Sequence, residues 1–125
     1  MLVDHDAMAT IAVRDLARAK DFYGGKLGLE MRDDNPAVVT YRSGATGVLV
    51  YRSQYAGTNQ ATVATWRVDD VDRIAATLRA NGVAFEHYDL PDGVREGDVH
   101  VFGSLRTVWF KDPDGNILSI LSIRG

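Results

Sequence analysis

VRDLAR, Val13 to Arg18, returns as VDDVDR, Val68 to Arg73, at an offset of 55 with Val, Asp and Arg in the same places. The reading of this pair decides the fold. In each copy an apolar strand pattern ends at the valine, and the aspartate two residues on (Asp15 or Asp70) stands where a carboxylate accepts the unpaired amides of a new helix. Leu16, Ala19, Phe22 and Tyr23 then fall on one helical face, as do Val71, Ile74, Ala75 and Leu78. Gly24-Gly25 and Asn81-Gly82 supply left-handed stops. Gly28-Leu29-Glu30 and Ala84-Phe85-Glu86 extend the match at an offset of 56, one residue having slipped. Two strand–cap–helix–glycine units in register describe a duplicated module.

Strand signals follow each unit. In the first half they cover roughly Ala37 to Arg42 and Val48 to Ser53, divided by Ser43-Gly44 and Gly47. In the second they cover Ala84 to Tyr88, Val99 to Phe102, Leu105 to Lys111 and Ile117 to Ile123. Ala56 to Gln60 and the polar stretch from Pro91 to Asp98 read as loops. A strand before a helix and antiparallel strands after it, twice over, predict an α+β fold of two tandem βαβββ modules rather than a doubly wound sheet. One domain over 1–125 is expected, with module one at about 7–55, a linker at about 56–60 and module two at about 61–124.

Composition narrows the function. At 125 residues, 46% hydrophobic and 25% charged, the chain is of ordinary globular make-up. The absence of cysteine removes disulfides, thiolate nucleophiles and zinc–cysteine sites together. A net charge of −3 argues against nucleic acid or an anionic membrane as partner. No apolar run reaches the ~20 residues of a membrane span, and Met1 to Thr10 lacks a signal-peptide core, so a cytoplasmic protein is expected.

WFKDPDGNILSI, Trp109 to Ile120, holds the chemical question. Asp112 to Asn116 is a turn by chemistry, because Pro fixes one φ, Gly tolerates positive φ, and Asp and Asn bond their own backbone. Val13-x-Asp15-Leu16-x-x-Ala19-x-x-Phe22-Tyr23 with Leu27-Gly28-Leu29, and the closing Phe110-x-Asp112-Pro113-Asp114-Gly115-Asn116, together resemble the vicinal oxygen chelate superfamily. That superfamily includes glyoxalase I, extradiol dioxygenases and bleomycin-resistance proteins. The resemblance runs from about Met8 to Ile123. It implies curved sheets forming a cup, usually within a homodimer, with small ligands bound in the cup.

It also implies a divalent metal held by His or Glu from both modules in the family's enzymes, an ion of the Mn, Fe, Ni or Zn type. The first-strand histidine of each module corresponds to Met8 and Val63, seven residues before the capping Asp. The closing glutamate corresponds to Ser119, and the remaining ligand lies near Tyr51. A register error of one residue does not restore the set: segments 7–11, 48–53, 62–65 and 117–121 contain no His, Asp or Glu. The expectation is therefore no metal and no other cofactor. His5, His87 and His100 read as surface or satisfied histidines, and Asp15 and Asp70 as caps. No catalytic residue can be assigned.

Alternation divides each opening strand in two. Ala9, Ile11 and Val13, like Ala64, Trp66 and Val68, should pack beneath the helices. Met8, Thr10, Val63, Thr65 and Arg67 should line the cup with Ser119, flanked by Ile117 and Leu121. A charge such as Arg67 facing a cup needs an anion or water at the rim. Tyr51 and Trp109 offer stacking surfaces there, with core packing as the competing reading. The expected function is small-molecule binding in a metal-free cup. The alternative is a lyase, isomerase or dioxygenase of the same family with atypical metal ligands or metal-free acid–base chemistry. A third reading makes Ala56 to Thr62, rich in amide and hydroxyl groups, an interaction loop.

Overall fold

A computed structural model describes residues 1–123. After a short 3-10 turn at Leu2–Asp4 come β1 (Ala9–Val13), α1 (Leu16–Lys20), β2 (Glu30–Asp34), β3 (Val38–Ser43) and β4 (Thr46–Arg52). The second half is β5 (Thr62–Arg67), α2 (Val71–Ala80), β6 (Phe85–Glu86), β7 (Val94–Glu96), β8 (Val99–Phe102), β9 (Leu105–Lys111) and β10 (Ile117–Ile123). The expected end of module two at residue 124 lies outside the described residues. Strand order is β1-β4-β3-β2 in one sheet and β5-β10-β9-β8-β7 in the other, where β6 also pairs with β9. In each sheet the opening strand runs parallel to the last strand of its half, β1 beside β4 and β5 beside β10, while the other pairs are antiparallel. The fold is α+β, as expected.

The helices start where capping chemistry puts them. Asp15 accepts from the amides of Ala17 and Arg18, and Asp70 from that of Arg73; each such cap contributes about 1 kcal/mol. Asn81-Gly82 ends α2, with Gly82 at φ 89°. Gly24-Gly25 corrects the expectation. Neither glycine has positive φ; both lie inside a π-helical segment, Asp21–Lys26, that continues α1. Leu27 donates to the Phe22 carbonyl at 2.9 Å, five residues back, and the left-handed residue is Gly28 at φ 73°. The extra residue per turn swings Phe22 and Tyr23 together into the core.

Two strands were not expected. β2 is exposed at every residue and β7 likewise, so neither carries the alternation that betrays a half-buried strand. Both lie at sheet edges, and the 91–98 stretch read as a loop contains β7. The expected strand at 84–88 shrinks to Phe85–Glu86.

One core joins the halves. Ile11, Val13, Phe22, Tyr23, Val39, Tyr41, Val48 and Val50 meet Val71, Leu78, Val108, Phe110, Leu118 and Ile120 in a single buried cluster. Phe22 and Phe110 stand 6.3 Å apart between ring centroids. Trp66 Nε1 donates to Ser43 Oγ at 3.0 Å, a further bridge on the helix side of the sheets. Arg106, 8% exposed, fixes α2 to its sheet through Asp72 (2.9 and 3.1 Å) and Glu96 (2.9 Å). Hydrogen bonds to those carboxylates, Asp72 first, raise its pKa further, and the guanidinium stays charged.

The Asp112 turn does more than turn. Its carboxylate, in a residue 5% exposed, accepts from Tyr23 Oη at 2.6 Å, Asn116 Nδ2 at 2.8 Å, and the amides of Asp114 and Asn116 at 2.9 Å each. Asn116 Nδ2 also donates to the Ala12 carbonyl at 2.7 Å, and the Arg14 amide donates to Asp114 at 3.2 Å. Burial first, then the charge of Asp112, drives the Tyr23 hydroxyl far above its ordinary pKa, so it remains a donor.

Candidate functional site

Pairing register shows which residues share the face opposite the helices. Ser119 lies beside Trp109 on β9 and Thr65 on β5. The next row is Arg67, Leu121, Thr107, His100 and Arg95, crossing five strands. In the other sheet Thr10, Leu49 and Thr40 form one row and Ala12, Tyr51 and Val38 another. Burial agrees with the alternation: Ile11 and Val13 are buried and Thr10 exposed, Ala64 is buried and Thr65 exposed.

Thr65, Trp109 and Ser119 are brought together. The Thr65 and Ser119 hydroxyls are 2.6 Å apart, and Ser119 is 3% exposed. Trp109 is half-buried, its Nε1 donating to Thr62 Oγ1 at 3.2 Å. Val63 is half-buried at a bulge: Ile117 pairs with Thr62 and Leu118 with Ala64, leaving Val63 unopposed. Arg67 is exposed and has no ion pair among the described residues. Met8, Thr10 and Tyr51 belong to the other sheet. Met8 is 44% exposed and lies over Gly47, where an added Cβ would come within 3.1 Å of its methyl. Tyr51 is half-buried on β4.

This donor set does not fit a divalent transition ion. Met8 offers a soft thioether, Val63 nothing, and the Ser119 hydroxyl is already bonded to Thr65. Among the described residues no three His, Asp or Glu side chains converge as a metal site. Tyr51 alone does not complete a site that needs three protein ligands.

The most distinctive part of this face lies toward its outer end. Trp109 meets His100 edge-on at 4.9 Å and Tyr88 at 5.4 Å, and Tyr88 meets His100 at 6.2 Å. Beside them is a cavity of about 260 Å³ lined by His87, Tyr88, Leu90, Gly93, Arg95 and His100 among others. His100 is 3% exposed and its Nε2 accepts from the Tyr88 amide at 2.9 Å, which places the neutral ring's proton on Nδ1. Nδ1 and the Tyr88 hydroxyl are buried with no hydrogen-bond partner among the described residues. On the exposed side Asp98 bonds His87 Nε2 at 2.7 Å and Arg79 at 2.6 Å, while Arg95 bonds His87 Nδ1. Hydrogen bonds from His87 and then Arg79 hold the Asp98 carboxyl below its usual pKa.

Burial holds the His100 imidazole below its ordinary pKa of 6.5; the backbone at Tyr88 and Thr107 opposes the shift without giving Nδ1 a hydrogen bond. An unfolded His100 takes its proton near 6.5, the folded one only at lower pH. The associated stability is complete above about pH 6.5 and is lost as pH falls through the folded pKa. Denaturant midpoints measured from pH 7.5 to 5 should fall for the parent and fall less steeply for His100→Gln. Identical slopes would assign the loss to other groups.

Sequence reasoning missed Tyr88 and His100 as neighbours of Trp109, and His87 and Arg95 as neighbours of His100. His100 is a satisfied histidine at Nε2 only. A signal existed in Val99-His100-Val101-Phe102, whose alternation sets His100 on the face opposite buried Val99. The partner across the sheet, however, depends on the β8–β9 register.

Comparison with known proteins agrees with this architecture. The model of the Glyoxalase/Bleomycin resistance protein/Dioxygenase superfamily matches residues 4–120. TnmS3, an antibiotic binding protein from Streptomyces sp. CB03234, is 25% identical with a TM-score of 0.73, the match covering 99% of each chain. A glyoxalase/bleomycin resistance protein/dioxygenase from Alicyclobacillus acidocaldarius is 22% identical with a TM-score of 0.74, over 98% of this chain and 93% of that one. Lactoylglutathione lyase from Agrobacterium tumefaciens is 20% identical with a TM-score of 0.71, over 94% and 92%. No curated protein matches by sequence. No helix among the described residues is long and apolar enough to cross a membrane. The chain belongs to the Glyoxalase/Bleomycin resistance protein/Dioxygenase superfamily.

Proposed function

We propose that this chain binds a small organic molecule without a metal, on the face opposite the helices. The observation that carries the reading is the Tyr88–His100–Trp109 aromatic set standing beside an open cavity. Two rings set edge-on to Trp109 present apolar area with it at little cost in side-chain entropy, and the Arg95 guanidinium at the cavity supplies orientation. The likeness to an antibiotic binding protein supports binding over catalysis. In this reading Met8, Thr10, Tyr51, Val63, Thr65, Arg67, Trp109 and Ser119 line the cup, and the two modules of one domain, about 7–55 and 61–124, act as a unit in the cytoplasm.

Trp109→Ala should weaken binding of planar aromatic compounds at least about tenfold by calorimetry. Trp66→Phe, on the helix side, should leave affinity unchanged. Equal effects of both variants would remove the aromatic face from the site.

The reading includes a homodimer, because β2 and β7 leave open edges and Met8, Met31 and Val94 are exposed. Native mass spectrometry after loading with Mn, Ni, Zn and Fe(II) tests both parts. Twice the chain mass with no stoichiometric ion is expected. One equivalent of metal per chain retained through desalting would restore the metalloenzyme, and a monomer at micromolar concentration would end the dimer.

A further inference from the structure

We infer that the ligand taken by the His100 cavity is a planar aromatic anion, one or two rings bearing a carboxylate or phenolate, with its oxygens directed to Arg95. The inference rests on the small-molecule reading above and names its ligand class. The volume comes first. At about 260 Å³ the cavity falls just under the roughly 300 Å³ at which sites for drug-sized ligands begin, so it suits a compact ring system.

Polarity decides the rest. Behind the lining, the His100 Nδ1–H and the Tyr88 hydroxyl lack partners among the described residues, and both atoms are closed to solvent. The first is only a donor while Nε2 holds the Tyr88 amide, and the second donates readily. Arg95 adds a charge to the same cavity. Its guanidinium bonds only the His87 imidazole and has no carboxylate partner among the described residues. Asp98 does not neutralise it, being engaged by His87 and Arg79. Asp98 orients His87 so that Nδ1 accepts, and His87 in turn orients Arg95, an arrangement that presents the remaining guanidinium N–H groups.

The opposing charges are few. Asp89 belongs to the lining but is exposed, where its repulsion is screened. The chain's net charge of −3 would by itself favour a cation; the Arg95 guanidinium at the cavity reverses that preference locally.

Three probes of one shape test the inference on the full chain: 2-naphthoate, neutral 2-naphthalenemethanol and cationic 2-naphthylmethylammonium. Each is titrated by calorimetry and, in a Trp66→Phe background, by Trp109 fluorescence. The naphthoate should bind at least tenfold more tightly than the alcohol, and the advantage should shrink as salt rises. Arg95→Gln, at an exposed position that does not endanger folding, should bring the ratio close to one while leaving the alcohol's affinity intact. Equal binding of all three, tightest binding of the ammonium, or an undiminished preference in Arg95→Gln would each overturn the anion inference and leave the aromatic site standing. No heat and no change in Trp109 emission with any probe would overturn both.

Discussion

Gly57→Ala should lower the stability of the folded chain by about 3 kcal/mol or more, read as a fall in the urea midpoint. A Cβ built at Gly57 would stand 1.9 Å from the carbonyl oxygen of Asp114, and φ is +71°. The neighbour is backbone, and that backbone belongs to a turn fastened by the Asp112 carboxylate, so it has little freedom to retreat. The Gly57 amide also donates to Asn116 Oδ1 at 3.3 Å. Gly97→Ala is the control. Its φ is +62°, but an added Cβ meets nothing within 4 Å, so only the left-handed penalty of about 1–2 kcal/mol applies. Equal losses at the two positions would show that the contact with Asp114 is not what excludes a side chain.

Asp112→Ala should cost about 3–5 kcal/mol, because it strands several buried donors at once. The Tyr23 hydroxyl suffers most: the residue is fully buried, and among the described residues the hydroxyl has no other hydrogen-bond partner. Tyr23→Phe removes the same bond but also removes the stranded group, so it should cost only about 1 kcal/mol. In the double variant the losses should fall short of their sum by about 1–2 kcal/mol, the signature of a shared bond. Additive losses would mean that Asp112 acts through the turn amides alone. Chemical denaturation of the four proteins gives the cycle.

The elements legible in the sequence were those with a buried face or a cap. Val13–Asp15 and Val68–Asp70 announced both helices because the aspartates bond helix amides wherever the rest of the chain goes. β9 and β10 alternate or run apolar, and both were found. β2 and β7 escaped because an edge strand wet on both faces writes no period into the sequence. Gly24-Gly25 misled for a different reason. Glycine permits a left-handed stop without requiring one, and here the pair sits inside a widened turn, where an added Cβ at Gly24 would meet the Tyr41 ring at 3.7 Å and the Leu29 carbonyl oxygen at 3.9 Å, both ordinary contacts. Ser119 could be read as standing in place of a ligand. Its bond to Thr65 could not, because a parallel pairing across 54 positions is set by the whole sheet. The same holds for His100 and Trp109, whose rings meet only through the register of β8 on β9.

The Asp112–Asn116 turn has a consequence for the order in which the molecule is made. Synthesis runs from β1 toward β10, and the first sheet has all four of its strands once Arg52 has emerged. Yet Tyr23, Ala12 and Arg14 bond to residues 112–116, about a hundred positions later in the case of Ala12 and Arg14. β5 likewise waits for β10 to lie beside it. The nascent first half therefore awaits the Asp112 partner of the Tyr23 hydroxyl until late in translation, with the inner edge of its core uncovered. Closing loops of this length is slow. A ribosome stalled before Asp112 should therefore release a species that proteases cut within the first module.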